Sequence, residues 1–326
     1  MKKVIIASPT NKITGGTELL QQLCQTLRKS GINAFMWYAP GEANPDFHNH
    51  FDGIYCNPSL PFFDDADTIV VIPETMPFLL DKIKKSDPVL WWLSVDNYIG
   101  RNNKLKNPFR LYYRHLLAYI KYNPKIRQID NLVQSRYAYE YLSTCLNVDV
   151  KSIFYLSDYL NGAYISKAQT LLKTNRQNRI LYNPAKTSPF LEKLMMEVTE
   201  YEWCALKGFS IDQMQHVMGS SKLYIDFGSH PGKDRIPREA AICGCCVITG
   251  RRGSAKNDYD VPIPPNYKFD EVNTQISTVH NCISNIMNNY GVLITDFDNY
   301  RNVIMHEEER FVSDALAYFS RKVNAL

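Results

Sequence analysis

The chain has 326 residues, 45% of them hydrophobic and 21% charged, which is the composition of a soluble globular protein. This length exceeds what one ordinary core holds and predicts two domains. The formal net charge of +4 is too small to indicate nucleic-acid binding, and no apolar run is long enough to cross a bilayer. The N-terminal residues also turn polar too soon for a signal peptide, so we expect a cytoplasmic protein.

Short apolar runs alternate with helical patterns along the chain. The runs that predict strands are Lys3 to Ser8, Asn33 to Tyr38, Thr68 to Ile72, Val89 to Ser94, Asn131 to Ser135, Arg179 to Asn183, Tyr201 to Leu206, Lys222 to Asp226 and Cys245 to Thr249. Runs of this kind between helices indicate parallel sheets that are covered on both faces. We therefore predict an α/β protein with two doubly wound, Rossmann-like domains, residues 1–158 and 175–300. A C-terminal helix within residues 301–326 is expected to pack back toward the first domain.

The eight cysteines are irregularly spaced and do not form a disulfide pattern. Three of them, Cys243, Cys245 and Cys246, crowd where a helix passes into a strand, which is not the spacing of a zinc site. Small buried core residues are the better interpretation. The sequence thus predicts reduced thiols.

In doubly wound sheets, ligands bind beyond the carboxyl ends of the strands, so the loops there carry the candidate site residues. After the first strand, Gly15 and Gly16 precede Thr17, a candidate N-cap, and a helix that opens with Glu18. The glycines let backbone N–H groups approach a ligand closely, and the helix dipole favours an anion there. We take Gly15 and Gly16 as candidate donor contacts; a turn that merely starts a helix is the alternative.

Two later loops carry positive charge. Lys186 follows the sixth predicted strand, and Lys233 and Arg235 follow the eighth. Cations at the start of a helix are unfavourable unless an anion joins them, so these residues indicate an anionic ligand. The alternatives are that Lys186 is an ordinary surface charge, and that Asp234 and Glu239 balance the other two cations at the surface.

The segment that follows these cations matches a known motif. It reads P-x-E-A-x-x-C-G-x-x-V-I, and the matching positions are Pro237, Glu239, Ala240, Cys243, Gly244, Val247 and Ile248. With the paired Rossmann-like domains and the first loop, this block resembles the nucleotide-sugar glycosyltransferases of the GT-B fold, in which two such domains face a cleft. It is most similar to the retaining group whose signature reads roughly E-x-F-G-x-x-x-x-E-A-x-A-x-G-x-P-V-I.

The resemblance implies roles for the residues of the second domain. Glu239 would accept hydrogen bonds from the ribose hydroxyls of the donor, and Lys186 would contact its diphosphate together with Lys233 or Arg235. Because they meet the charge of the leaving group, Lys186 and Arg235 are catalytic candidates. The other implied donor contacts are Phe209, in the loop that flanks the base, and Gly253 and Ser254, in a loop near the phosphate and the sugar.

The chain departs from the signature where the family has its first glutamate. That position is Pro231 here, and the family's phenylalanine falls on Lys233. Since the missing glutamate contacts the donor sugar, the neighbouring His230 is a candidate to take over part of this contact. The identity of the sugar and the stereochemical outcome stay open.

On the acceptor side, Asp96 stands where the family often has a histidine. The resemblance implies that Asp96 orients an acceptor hydroxyl or removes its proton, which makes it a third catalytic candidate. A loop aspartate that caps a turn is the alternative. Thr17 is the second candidate acceptor contact.

The leaving diphosphate can be stabilised by a metal ion or by protein cations. Three acidic segments resemble metal-binding Asp-x-Asp motifs, at residues 64–67, 258–260 and 296–298, but none follows a strand in the expected way. The resemblance implies that lysine, arginine and helix N-termini act instead. We therefore predict metal-independent transfer, with the nucleotide sugar as co-substrate and no further cofactor.

The stretch from Arg101 to Arg127 is basic and rich in tyrosine. Such a helix can lie at an anionic bilayer surface and bring the enzyme to a lipid-linked glycan. The alternative is an ordinary amphipathic helix whose tyrosines pack on the domain. We expect peripheral contact with the inner face of the cell membrane through this stretch.

Taken with the resemblance, these features imply a retaining hexosyltransferase that acts on a glycan or polyprenyl-linked acceptor in surface polysaccharide synthesis, such as that of lipopolysaccharide O-antigen or capsule. Two alternatives remain. One is a nucleotide-sugar epimerase or phosphorylase of the same fold, and the other is a non-catalytic subunit that binds nucleotide sugar or glycan.

Overall fold

The computed structural model describes residues 2–41, 44–62, 64–100 and 108–324. The chain divides into two compact units, residues 1–158 with 309–326, and residues 159–308. Each unit has its own parallel sheet, and helices alternate with the strands, which confirms the predicted α/β class. Among the described residues, no helix is long and apolar enough to cross a membrane.

The first unit is built on a parallel sheet. Its strands are β1 (Lys3–Ser8), β2 (Ala34–Tyr38), β3 (Thr68–Pro73), β4 (Asp87–Trp92), β5 (Asp130–Val133) and β6 (Ile153–Tyr155). They pair in the order β2-β1-β3-β4-β5-β6. The winding therefore reverses between β1 and β3. Val4, Ile5, Ile6 and Ala7 of β1 are all buried, as expected for a central strand with both faces covered.

Helices follow most of these strands. They are α1 (Gly15–Lys29), α2 (Phe47–Asp52), α3 (Val95–Tyr98), α4 (Pro108–Ile126) and α5 (Arg136–Glu140). In α1, Leu19, Leu20, Leu23 and Leu27 repeat at helical spacing and are buried. This stripe fixes which side of α1 packs on the sheet.

The second unit repeats the same design with fewer strands. Its strands are β7 (Gln177–Tyr182), β8 (Glu202–Ala205), β9 (Ser221–Asp226), β10 (Cys246–Gly250) and β11 (Lys268–Phe269). Its helices are α6 (Gly162–Leu172), α7 (Pro189–Glu197), α8 (Ile211–Gly219), α9 (Arg235–Ile242), α10 (Ile276–Leu293) and α11 (Asp298–Met305). The sheet order β11-β10-β9-β7-β8 places the reversal of winding between β7 and β9. Cys243, Cys245 and Cys246 are buried thiols in the core of this unit.

The last helix is α12 (Glu307–Asn324), and from residue 309 onward it belongs to the first unit. The Tyr318 hydroxyl donates to Asp130 (2.8 Å), and the Lys322 ammonium lies 2.9 Å from the carboxylates of Asp87 and Asp130. Phe311 is wholly buried, with its ring centroid 6.3 Å from that of Trp91. These contacts hold α12 beside β4 and β5.

Candidate active site

The strongest candidate site lies at the switch point of the second sheet. Because winding reverses between β7 and β9, the loops that follow these two strands diverge and leave a crevice at the carboxyl edge. Lys186 ends a short 3-10 turn after β7. Its ammonium lies 2.6 Å from a carboxylate oxygen of Asp234 and donates to the carbonyl of Ser229 (3.0 Å), both in the loop after β9. Lys186 therefore bridges the switch point.

The two loops approach so closely because of a glycine that sequence reasoning did not single out. A Cβ atom built on Gly228 would lie 2.5 Å from the Cβ of Lys186 and 2.7 Å from its carbonyl oxygen. The amide of Gly228 also donates to Asp226 (2.9 Å), which fixes the exit of β9. Only glycine fits without displacing the loop that carries Lys186.

His230 is wholly buried between two carboxylates of this loop. Its Nδ1 lies 2.9 Å from Asp234 and its Nε2 lies 3.6 Å from Asp226, whose other oxygen accepts from the Tyr224 hydroxyl (2.8 Å). Burial lowers the pKa of His230, but Asp226 and Asp234 outweigh it, so the pKa is raised. The ring thus balances buried negative charge, and in this placement it presents no surface to solvent.

Asp234 is the centre of this network. Burial raises the pKa of Asp234, yet Lys186 and His230 outweigh the effect of burial and hold it below its usual range. Asp234 precedes α9, but its side chain makes no capping hydrogen bond to that helix. The alternative in which Asp234 balances Lys233 or Arg235 at the surface does not describe this carboxylate, which pairs with Lys186 and His230.

Among the described residues, Asp226, His230 and Asp234 form the one group with metal-ligand atoms within 4.8 Å of one another. In the structure, Nδ1 of His230 faces Asp234 and Nε2 faces Asp226, so each ring nitrogen already lies beside a carboxylate. The Lys186 ammonium also places a positive charge 2.6 Å from Asp234. We therefore interpret the group as an ion-pair network of protein side chains.

Lys233 and Arg238 share one buried counter-charge, Glu307. The Lys233 ammonium lies 2.7 Å from one oxygen of Glu307, and Arg238 Nη1 donates to the other (2.6 Å). Arg238 also donates to the carbonyls of Lys233 (3.0 Å) and Asp234 (3.1 Å). This wholly buried guanidinium fastens the basic loop to the start of α12. Sequence reasoning assigned no role to Arg238, because its partner is far along the chain.

The pairing with Glu307 changes the interpretation of Lys233. The Lys233 side chain is largely buried, and Glu307 supplies the counter-charge that a buried cation needs. Arg235 opens α9 and Glu239 lies one turn further; both side chains are half-buried. The structure thus places Lys186 at the switch point, whereas the diphosphate contacts of Lys233 and Arg235 stay predictions.

The loop after β10 supports the loop that carries His230. The Ser254 amide donates to the carbonyl of His230 (2.9 Å), and its buried hydroxyl donates to the carbonyl of Gly232 (2.6 Å). Gly253 has a φ of 51°, and a Cβ there would lie 2.0 Å from the His230 oxygen. Both residues are therefore engaged in holding the neighbouring loop. Phe209 lies in the loop after β8, where it is partly buried against the core.

In the first unit, the start of α1 differs from the prediction. The N-cap is Thr14, not Thr17: Thr14 Oγ1 accepts from the Thr17 amide (3.3 Å), and the Thr17 hydroxyl accepts from the Thr14 amide (2.9 Å). This reciprocal capping box makes Gly15 and Gly16 the first helical residues. The buried Thr17 hydroxyl also donates to the Thr14 carbonyl (3.0 Å), so it both donates and accepts hydrogen bonds within the first turn of the helix.

Gly16 is not required by packing or backbone conformation. A Cβ there would meet Leu93 and Thr14 at 3.6 and 3.7 Å, which are ordinary contacts, and its φ is not positive. A glycine that the fold itself does not need is consistent with close approach of a ligand to the first turn of α1.

Asp96 lies on α3, directly after β4, and is buried. Its Oδ1 accepts from the Tyr137 hydroxyl (2.9 Å). The residue that caps this helix is Ser94, whose hydroxyl accepts from the Asn97 amide (3.2 Å). The alternative in which Asp96 caps the turn is therefore wrong.

Glu74 is a buried acid that sequence reasoning missed. It directly follows β3, at the switch point of the first sheet, and accepts from the Leu93 amide (3.0 Å). Burial raises the pKa of Glu74 to about 7, although several hydrogen bonds oppose the shift. The signal was present in the sequence, since a carboxylate after the apolar run TIVVIP falls at the edge where ligands bind.

No protein-family model matches the chain, and no curated protein matches its sequence. Sucrose-phosphate synthase from Thermosynechococcus elongatus aligns over 99% of this chain and 98% of its own, with a TM-score of 0.65 at 10% identity. The chain has the GT-B fold.

Two further solved structures support this conclusion. HepE of Anabaena, solved in complex with UDP-glucose, covers 100% of both chains with a TM-score of 0.61 at 10% identity. WaaG, a glycosyltransferase involved in lipopolysaccharide biosynthesis, covers 95% of this chain and 98% of its own, with a TM-score of 0.57 at 11% identity. The fold that the sequence motif implied is thus confirmed.

Proposed function

We propose that this GT-B chain is a glycosyltransferase that moves a sugar from a nucleotide diphosphate sugar to an acceptor hydroxyl. The observation that carries the proposal is the position of Lys186, which bridges the loops after β7 and β9 at the switch point of the second sheet. A cation at this point, beside the first turn of α9, suits a diphosphate. HepE was solved with such a donor, which supports the same ligand class.

Transfer breaks the bond between the anomeric carbon and the diphosphate oxygen, and a bond to the acceptor oxygen forms as the acceptor proton is lost. Negative charge grows on the leaving diphosphate. Lys186, Arg235 and the N-terminus of α9 stabilise that charge in our proposal. Lys186 turns from Asp234 toward the phosphate, and protonated His230 keeps Asp234 neutralised when it does so.

The remaining donor contacts follow from this placement. Glu239, one turn into α9, accepts hydrogen bonds from the ribose hydroxyls, and Phe209 flanks the base. His230, Gly253 and Ser254 act by shaping the loop and not by touching the donor. The donor role of Gly15 and Gly16 stays a prediction.

The acceptor side rests on fewer observations. Asp96 keeps its predicted role toward the acceptor hydroxyl, whereas the engaged hydroxyl of Thr17 gives it no such role in our proposal. The acceptor class that we propose is a glycan or a polyprenyl-linked oligosaccharide of a surface polysaccharide, with retention of configuration. The involvement of WaaG in lipopolysaccharide synthesis supports this choice.

A thermal-shift screen of nucleoside diphosphates and their sugars tests the donor assignment, on the wild type, Glu239→Ala and the exposed control Glu197→Ala. A ligand at a hundredfold excess over its Kd stabilises the fold by about 2.7 kcal/mol, so a true donor raises the melting temperature. We expect the response to weaken in Glu239→Ala and to persist in the control. No stabilisation of the wild type by any nucleotide would contradict the proposal, whereas an unchanged response in Glu239→Ala would remove only the ribose assignment.

Slow hydrolysis of the stabilising donor separates the enzyme from a non-catalytic subunit, and interconversion of free nucleotide sugars would identify an epimerase. We propose that no metal is needed, because Lys186, Arg235 and a helix N-terminus supply the positive charge. Hydrolysis should therefore persist in the presence of a chelator. Activity that a chelator abolishes and manganese restores would contradict the metal-independent step.

A further inference from the structure

The outer face of α4 is an exposed apolar stripe. Its members are Tyr113, Leu116, Leu117 and Ile120, with exposed fractions of 61%, 40%, 48% and 61%. They fall at positions i, i+3, i+4 and i+7, so they lie on the same side of the helix. We call these four residues the α4 face. Large apolar side chains that cluster on one exposed surface mark an interaction site more often than isolated ones do.

The exposure of the α4 face does not arise from a loosely attached helix. Further along α4, Tyr122 and Ile126 are buried in the core of the first unit, and the Tyr98 hydroxyl donates to Asn123 (2.6 Å). The helix is thus anchored by one side. The alternative in which the tyrosines of this stretch pack on the domain therefore holds for Tyr122 but not for Tyr113, which belongs to the exposed α4 face.

The charge of the surrounding chain identifies the kind of partner. The stretch from Arg101 to Arg127 holds eight of the 37 Lys and Arg residues and none of the 33 Asp and Glu. The rest of the chain therefore has 29 basic and 33 acidic residues, so the positive net charge comes from this stretch alone. Residues 101–107 lie outside the described part of the chain.

Basic side chains flank the α4 face directly. Lys121 and Lys125 follow it on the same helix, and each pairs with Asp81, at 2.5 and 2.6 Å. Both ammonium groups are partly exposed, so these surface pairs are weak and can rearrange toward another anion. Apolar groups with lysine beside them match the boundary between lipid headgroups and acyl chains.

We propose that the α4 face docks on an anionic lipid bilayer, with its four apolar side chains at the headgroup boundary and Lys121 and Lys125 against the lipid phosphates. Charge decides against a second copy of the chain as the occupant, because two stretches with eight cations and no acids would repel each other. Each basic residue near an anionic surface adds attraction that salt weakens. This inference does not depend on the proposed transferase activity.

Vesicle flotation at low salt tests the proposal, with bilayers of phosphatidylcholine alone and bilayers that contain equal parts of phosphatidylcholine and phosphatidylglycerol. The wild type should float only with the anionic vesicles, and binding should fall as salt is raised. Leu116→Ser, Leu117→Ser and Ile120→Ser together should lower the partition coefficient at least tenfold. The matched control replaces Met196, Val272 and Val292, apolar residues of the second unit that are even more exposed, by serine.

All substituted positions are exposed, so both triple variants should fold, and melting temperatures near that of the wild type check this. Absence of wild-type binding at low salt would overturn the proposal. So would equal loss of binding in the control variant. A change in oligomeric state by light scattering, with vesicle binding intact in the α4 variant, would show instead that the α4 face is a protein interface. Selective loss in the α4 variant supports membrane docking.

Discussion

Replacement of Glu74 by glutamine should make the stability of the first unit less dependent on pH. Glu74 is fully buried after β3, and burial raises the pKa of its carboxyl from 4.5 to about 7. Because the folded pKa is raised, the folded state favours the protonated acid. Its contribution to stability is complete below the unfolded pKa and is lost as pH rises through the folded pKa.

The difference between a pKa of about 7 in the folded chain and 4.5 in the unfolded chain corresponds to about 3 kcal/mol. The wild type should therefore lose about 3 kcal/mol more of its free energy of unfolding than Glu74→Gln between pH 4.5 and pH 8. Glutamine does not titrate, and its side-chain oxygen can still accept from the Leu93 amide. The gain from the substitution should thus appear mainly at the higher pH.

Urea unfolding at the two pH values, followed by tryptophan fluorescence, measures this effect. Trp37, Trp91 and Trp92 all lie in the first unit, so most of the signal reports that unit. Glu140→Gln, which alters an exposed carboxylate on α5, is the matched control and should follow the wild type. If Glu74→Gln shows the same pH dependence as the wild type, the carboxyl of Glu74 is not held in its protonated form by burial, and the reasoning fails.

Three further predictions concern the second unit. Arg238→Met removes one of the two cations that pair with the buried Glu307, so it should lower the free energy of unfolding, measured by urea titration, by about 3 kcal/mol. A loss below about 1 kcal/mol would contradict the view that Arg238 holds the basic loop to the start of α12. Gly228→Ala forces a Cβ to within 2.5 Å of that of Lys186, so the nucleotide-induced rise in melting temperature should shrink, whereas retention of the full rise would show that the loops can shift. The pKa of His230 is raised, so its contribution to stability and donor binding should be present at low pH and vanish as pH rises through that value; a nucleotide affinity that does not change from pH 6 to pH 9 would argue against it.

The sequence predicted the sheet strands well because they are buried on both faces and read as apolar runs. Each of the predicted strands corresponds to one of β1–β5 or β7–β10, with ends that agree within two residues. The missed strands, β6 and β11, have only three and two residues, too few to show a pattern. The candidate loops were chosen on the same basis, because the topology of a doubly wound sheet puts ligand-binding loops at the carboxyl ends of its strands.

The pairing of charges could not be predicted. The elements β10, β11, α10 and α11 separate Lys233 and Arg238 from their common partner Glu307, and no local pattern indicates such a contact. The cap of α1 illustrates a smaller failure: Thr14 and Thr17 are chemically alike, and only the geometry of the capping box distinguishes the cap from the third helical residue. Tertiary contacts therefore determine which charged side chains can bind a ligand and which pair with other side chains of the protein.

The division of the chain has a consequence for its synthesis. The first unit needs residues 309–324 of α12, which cover Trp91 with Phe311 and meet Asp130 with Tyr318. A ribosome makes residues 2–158 first and then the whole of the second unit before these partners exist. The nascent first unit therefore lacks α12 while the second unit is made, and the apolar surface that α12 later covers stays exposed during that time. Its aggregation during expression should depend on how quickly α12 arrives.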